Sequence, residues 1–349
     1  MFFGQKKIIG LDIGTSSIKL AEMTFARRSW SLSRFAIQPI APGAVNAGEI
    51  VDVAEVTRAI QGALAASSTG RKQASTGMSG NAVVVKKIAM PRMEPRLAAE
   101  QVKWEAEQYI PFDINEISLE HVILEASTGP ETMDVLLVAA KQEFIFRYLE
   151  AIEGAGLKCA VMDVAGFALA NCFEANYGVT AGTVALLNVG AGATNLIVLA
   201  NGEIVFSRDI ALGGQTYTSE IQKAMGVSLQ EAEALKLSAS YGQGAPEEVN
   251  SVISATNDSV VEEIRNSFEF FSATSGGAAV TRFFAAGGGI FTPGLVDGIA
   301  KATSIPYEVF DPFLKVGFDA KTVGVEYAAQ IKSIAGIAMG LGMRKQGDS

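Results

Sequence analysis

The chain is poor in the residues that most often carry chemistry. One histidine, His121, occurs in 349 residues. Zinc sites built on two histidines are excluded, and a Ser-His-Asp triad would depend on that single imidazole. Cysteine is almost as scarce. Cys159 and Cys172 form no CxxC pair, which excludes a disulfide framework and fits a reducing compartment. Positive charge is in deficit: 28 Lys and Arg face 37 Asp and Glu, a net charge of −9. That balance is wrong for sequence-independent nucleic-acid binding, in which basic side chains replace counterions. A membrane span is not written in the chain either. The uncharged stretch at residues 182–202 is interrupted by Asn188, by four small residues and by Asn195, and reads as two strands and a turn. Lys6 and Lys7 precede an apolar run broken by Asp12, with no cleavage site, so the chain reads as cytoplasmic.

What is present is apolar and glycine-rich. Hydrophobic residues make up 49% of the chain, enough for large cores, and the length suggests about two domains. Ile8, Ile9, Leu11 and Ile13 form a buried-strand run ending in Gly14-Thr15-Ser16-Ser17. A second strand carries Ile18, Leu20 and Met23. A turn at Arg27-Arg28-Ser29 leads to a third strand over residues 30–37. The same grammar returns in the second half. Residues 184–189 read as a strand, Gly190-Ala191-Gly192-Ala193 as a turn and residues 195–199 as a strand. Asn201-Gly202 is a hairpin turn before a third strand over residues 203–210. Leu11-Asp12-Ile13-Gly14 aligns with Leu187-Asn188-Val189-Gly190, an internal repeat of two three-stranded meanders.

Tight turns of small residues leave backbone N–H groups pointing outward as an anion-binding nest. Two such hairpins facing across a cleft could grip a phosphate chain through Gly14, Thr15, Ser16 and Ser17 on one side and Gly190, Gly192, Ala193, Thr194 and Asn195 on the other. Asp12 could hold magnesium through water, as that ion prefers a few carboxylates plus phosphate oxygens. Lys19 either adds positive charge there or is a solvated strand lysine. Gly213-Gly214 precedes a helix expected near Thr216, whose N-terminus would favour anions. Gly287-Gly288-Gly289 follows a strand and precedes a helix near Pro293, and lets flat backbone approach a base or ribose. Neither a Walker A sequence nor a Rossmann fingerprint is met.

Helical segments at residues 163–175 and 334–343 are rich in alanine and glycine, and would form a hinge between domains or ordinary core. Arg96 to Ile110 carries a stripe of Ala98, Val102, Ala106 and Tyr109, stopped by Pro111. Trp104 lies off that stripe and is expected to pack under this segment, the alternative being an exposed partner anchor. His121 alternates with Ile117, Leu119 and Ile123 on a strand and reads as structural.

IIGLDIGTSSIKL, VALLNVGAGATNLIVL and FFAAGGGIFTPGL, in this order, resemble the first phosphate loop, second phosphate loop and adenosine motif of the actin-like ATPase superfamily. Within it the chain resembles the PilM family of type IV pilus assembly proteins, near the cell-division protein FtsA, over essentially its whole length. Its sharpest piece is VKWEAEQYIPFDINEISLEHVIL. The resemblance implies an α/β, ribonuclease H-like duplicated two-domain fold with a nucleotide cleft and an FtsA/PilM-type insert subdomain. Residues 1–85 would begin the first domain, 86–157 form the insert, 158–183 the connecting helix, 184–327 the second domain and 328–349 a helix returning to the first. It further implies ATP and Mg2+ in the cleft, with Glu233 and Lys236 on the ribose and base side. The partner would be the N-terminal peptide of an inner-membrane PilN-like protein, docking near Val84 and Trp104. Self-association is a further implication, as is a cytoplasmic location peripheral to the inner membrane through that partner. Asn188 stands where the superfamily usually has aspartate. It can accept a hydrogen bond from a metal-bound water but lacks full charge, so the chain is expected to hold ATP and to be at most a weak ATPase. A polymerising FtsA-like protein, a type II secretion counterpart and a small-molecule kinase are the alternatives. The C-terminal residues show no FtsA-like amphipathic helix.

Overall fold

The computed structural model describes residues 8–124 and 131–347. Lys6 and Lys7, and the last two residues of the expected C-terminal segment, Asp348 and Ser349, lie outside them. In chain order the elements are β1 (Ile8–Ile13), β2 (Ser17–Ala26), β3 (Ser29–Pro39), β4 (Val45–Asn46), β5 (Glu49–Ile50), α1 (Val53–Ser67), β6 (Gln73–Met78) and β7 (Val83–Pro91). There follow α2 (Pro95–Tyr109), β8 (Ile117–Leu124), β9 (Thr132–Lys141), α3 (Gln142–Gly154), β10 (Lys158–Val164) and α4 (Ala165–Tyr177). The second half has β11 (Thr183–Val189), β12 (Thr194–Ala200), β13 (Glu203–Ile210), α5 (Gly214–Met225), α6 (Leu229–Ser240), α7 (Glu247–Thr274), β14 (Arg282–Ala286), α8 (Leu295–Thr303), β15 (Tyr307–Val309), β16 (Gly317–Phe318), α9 (Val325–Ile331) and α10 (Gly336–Gly342).

The repeat seen in the sequence is a repeat of topology. One sheet has the order β10-β6-β1-β2-β3-β16 and the other β13-β12-β11-β14-β15. Each contains an antiparallel meander whose first strand pairs in parallel with a strand arriving from a helix. All six residues of β1 are buried, and β11 and β12 are nearly so. Both faces of each central strand are covered, which is why these strands read as continuous apolar runs rather than alternating ones.

Helices α4 and α10 lie between the two sheets. The core around them draws Met23, Leu32 and Phe35 from the first sheet and Val184, Leu186 and Ile197 from the second. A separate core on the outer face of the first sheet packs α1 and α3, and one on the outer face of the second packs α5, α7 and α8. Small residues make the central layer fit. A Cβ on Gly340 would overlap the Ala168 carbonyl of α4, and one on Gly10 would overlap α10 at Ala338 and Gly342.

The chain leaves the first sheet after β6 and builds a three-stranded sheet, β7-β9-β8, covered by α2. Ala98, Val102 and Ala106 face its core as the stripe requires. Two expectations are corrected here. Trp104 is 69% exposed rather than packed, because it sits two residues from both Val102 and Ala106, on the opposite side of the helix. Tyr109 is 45% exposed, because the helix ends there and Ile110, in extended conformation, takes the core position. The helix after Gly213 also starts earlier than read, at Gly214.

Substituting Gly340 by alanine should destabilise the protein by about 3 kcal/mol, since backbone rather than a flexible side chain blocks the new methyl. A lower urea midpoint at unchanged slope would show it. An unchanged midpoint would mean that α4 and α10 are not held this closely.

Candidate functional site

The two meanders present their first turns to each other. In the first, Asp12 pairs with Lys19 across the hairpin, and Gly14 N donates to Ser17 O at 3.2 Å. In the second, Asn188 pairs with Asn195, and Gly190 N donates to Ala193 O at 2.9 Å. The bond closing each turn is the same, so the repeat extends to how the turns are closed. The turns are in contact: a Cβ on Gly192 would come 2.6 Å from Thr15 Oγ1. Between them and the base of the second sheet lies a cleft of about 330 Å³.

Most of the expected residues meet in this cleft. Asp12, Gly14, Thr15, Ser16, Ser17 and Lys19 line it from the first sheet. Asn188, Gly190, Gly192, Ala193 and Asn195 line it from the second. Gly214, Glu233, Lys236 and the glycines Gly287, Gly288 and Gly289 complete the far end. Two expected residues stand behind the wall. Thr194 is buried and donates its hydroxyl to Leu212 O at 2.8 Å. A Cβ on Gly213 would lie 2.7 Å from the carbonyls of Gly190 and Ala191, so this glycine serves close packing of the second turn. Two residues of the triple glycine serve packing in the same way. Gly287 has a φ of +91°, and side chains at Gly287 or Gly289 would run into Val189 of β11. Here the missing side chains let the loop lie flat on the strand.

The charges at the two turns differ. Lys19 Nζ donates to Asp12 Oδ2 at 3.0 Å. In the second turn, Asn188 Nδ2 donates to Asn195 Oδ1 at 2.8 Å, and Asn195 Nδ2 donates to Asp209 Oδ1 at 2.7 Å. The other carboxylate oxygen of Asp209 accepts the backbone N–H of Gly80. At the far end Lys236 is buried, with its Nζ donating to Gly214 O at 3.1 Å, Thr218 Oγ1 at 2.9 Å and Glu233 Oε2 at 2.7 Å. Among the described residues no group of three or more His, Cys, Asp or Glu gathers to hold a metal. A divalent ion in this cleft would therefore be held largely through water and through oxygens of a ligand, which suits magnesium and the single carboxylate of Asp12.

Among the cleft residues that escaped the sequence reading are two aromatic ones. Tyr241 and Phe291 stand at the rim with ring centroids 6.1 Å apart. Phe291 directly follows the triple glycine and its Ile290. Tyr241 caps α6 and continues the spacing of Glu233, Lys236, Leu237 and Ser240 on one helix face, a signal available in the sequence.

A second cavity of about 630 Å³ lies where the insert meets both sheets. Val84 lines it, with Tyr109 and Pro111 of the insert, Asn46, Ala47 and Gly80 of the first lobe, and Ser207, Asp209 and Gln215 of the second. Trp104 does not. His121 lies on β8 and lines neither cavity.

Burial holds the Asp209 carboxyl above the usual carboxylate range, with the N–H donors of Asn195 and Gly80 pulling the other way. A raised folded-state pKa stabilises the fold below the unfolded value, and that contribution is lost as pH rises through the folded value. The D209N amide cannot titrate. The stability of the wild type relative to D209N should thus fall as pH rises above the ordinary carboxylate range, as read from urea midpoints. A difference that rises with pH would contradict a raised value.

The comparisons with known proteins agree with this geometry. A solved PilM-PilN type IV pilus biogenesis complex superposes with a TM-score of 0.86 at 29% identity, over 97% of this chain and 98% of that one. The ethanolamine utilization protein EutJ from Carboxydothermus hydrogenoformans shares the fold, with a TM-score of 0.57 at 14% identity over 96% of this chain and 89% of its own. The cell division protein FtsA of Bacillus subtilis (strain 168) is 26% identical over 258 residues, covering 65% of this chain and 57% of FtsA. FtsA of Streptococcus pneumoniae serotype 2 is 23% identical over 278 residues, 68% of this chain and 56% of FtsA. The chain thus spans a little over half the length of these curated relatives. The fold is the duplicated actin-like one with an insert. A family model described as type IV pilus assembly protein PilM matches residues 10–346, and the chain belongs to that family.

Proposed function

We propose that the protein is an ATP-binding adaptor of type IV pilus assembly, which holds nucleotide in the cleft and a peptide of a PilN-like membrane protein in the second cavity. The observation that carries the nucleotide reading is the pair of hairpins, Gly14–Ser17 and Gly190–Ala193, closed by the same backbone bond and facing each other across one cleft. The cradle fits the ligand. Its turns of small residues would offer N–H donors suited to phosphate oxygens, and Asp12 offers a carboxylate beside them. When bound, magnesium would supply neutralisation of phosphate charge. Glu233, Lys236, Tyr241 and Phe291 would take the ribose and base.

Asn188 presents an amide where charge would help to orient and activate water, so hydrolysis should be slow while binding persists. Nucleotide then acts through shape: it favours whichever spacing of the two lobes it binds better. The partner reading rests on similarity to the solved PilM-PilN complex across nearly the whole chain. The second cavity suits a peptide because it has apolar Val83, Val84, Tyr109 and Pro111 beside backbone of β7 and β13, strands that lie at sheet edges. No helix among the described residues is long and apolar enough to cross a membrane, and membrane attachment would come through the partner, from the cytoplasmic side. Self-association is the second reading, favoured by exposed Leu97 and Trp104 on α2 and by the likeness to FtsA. ATP-dependent pelleting would bring it forward.

Desalting the protein at intervals after mixing with Mg-ATP should leave ATP on it, converted more slowly than about one per minute. Rapid conversion would replace the adaptor reading with an ATPase cycle. Substituting Gly192 by valine should reduce retained nucleotide at least about tenfold, because the side chain wedges against Thr15. Retention at the wild-type level would remove the phosphate-gripping role of the paired turns.

A further inference from the structure

Asn188, Asn195 and Asp209 stand in one rank across β11, β12 and β13. An amide side chain can present either end, and here the order is dictated from one end of the rank. Asp209 accepts through both oxygens, so Asn195 must turn its Nδ2 toward Asp209 and its Oδ1 toward Asn188. Asn188 then answers with its own Nδ2 and is left with its oxygen on the cleft side. That oxygen lies at the triple glycine, where a Cβ on Gly287 would come 2.9 Å from it.

The other oxygen of Asp209 reaches the first lobe. Gly80 sits where the chain passes from β6 into the insert, with a φ of +68°, too close to Ala47 to carry a side chain. Asn81 N donates to Ala47 O at 2.9 Å. Ala47, Gly192 and Ala193 line both cavities and so form the wall between them. One partly buried carboxylate therefore orients the amide facing the first cleft and ties the second sheet to the loop that borders the other cavity.

We propose that Asp209 is a positioning residue that couples the two cavities, so that nucleotide in the cleft changes the affinity of the second cavity for its peptide through the Asn188–Asn195–Asp209–Gly80 chain. This rests on the functional reading above, and it assigns the regulation of that site. A shift of the second turn on phosphate binding moves Asn188 and Asn195, and the two-sided grip of Asp209 passes the movement to Gly80 and the start of β7. Coupling of this kind is reciprocal: the peptide changes nucleotide affinity by the same factor.

The test is a synthetic peptide of the PilN N-terminal cytoplasmic segment, titrated onto the full chain with and without Mg-ATP, in wild type and D209N. In D209N one acceptor becomes a donor: if the new Nδ2 faces Gly80 that tie is lost, and if it faces Asn195 both asparagines must reverse and turn the Asn188 amide nitrogen to the cleft. Wild type should show about a fivefold or larger change in peptide affinity with nucleotide, mirrored in the reverse titration, and D209N a ratio within about twofold of unity. A merely structural Asp209 would lower Tm and weaken both ligands together, leaving the ratio intact, and that result overturns the proposal. Hydrogen exchange on wild type gives a readout independent of the variant. Mg-ATP should change protection at Gly80 and Val83 to Lys86, and no change there also overturns it. Failure of wild type to retain nucleotide overturns the functional reading and this inference with it. Both ligands bound with equal ratios in the two proteins overturns the coupling alone.

Discussion

The close approach of α4 and α10 between two sheets is the constraint on which the rest depends. The layer they form is thin because Gly340 meets the Ala168 carbonyl and Gly10 of β1 meets the backbone of α10. Interiors packed at crystal-like density leave no room for an added methyl against backbone. This thinness brings the ends of β1 and β11 to opposite walls of one cleft. The same layer contributes Ala165, Ile334 and Ile337 to the cleft floor, so packing and binding surface are continuous.

Duplication gave both walls one backbone plan, and divergence gave them different charge. The first wall pairs a carboxylate with an ammonium, Asp12 with Lys19. The second pairs two amides, Asn188 with Asn195, and places its carboxylate a strand farther away at Asp209. Geometry for holding a phosphate chain needs only turns and N–H groups, which both walls keep. Activation of water needs charge at the right point, and on the second wall that charge faces Asn195 and Gly80 instead of the cleft. On the proposed reading, a protein built this way would bind and close more than it would turn over.

The insert changes what closure can do. It begins directly after Gly80 and presents the free edge of β7 toward β13 of the second lobe. The cavity between these edges is therefore lined from both lobes. The two cavities share a wall of Ala47, Gly192 and Ala193, the geometry on which the proposed coupling rests.

Much of this was legible in the residues. The two meanders, their turns and the glycine clusters follow from apolar runs punctuated by small residues, because strand and turn chemistry act over a few neighbouring positions. The alignment of Asp12 with Asn188 also foretold that the two loops would be equivalent. Other features belong to the fold. The side of α2 on which Trp104 lies depended on where the insert sheet would be. Thr194 and Gly213 fell behind the wall because β12 turns its side chains alternately and the second loop packs on itself. Asp209 carried no local signal at all: it lies far along the chain from both Asn188 and Gly80, and its partners are brought to it by strand pairing and by the meeting of two lobes. The sequence by itself determined the elements and the pair of small-residue turns. Only tertiary structure decided which polar groups share one hydrogen-bonded chain, since that requires surfaces distant in sequence to meet and exclude water.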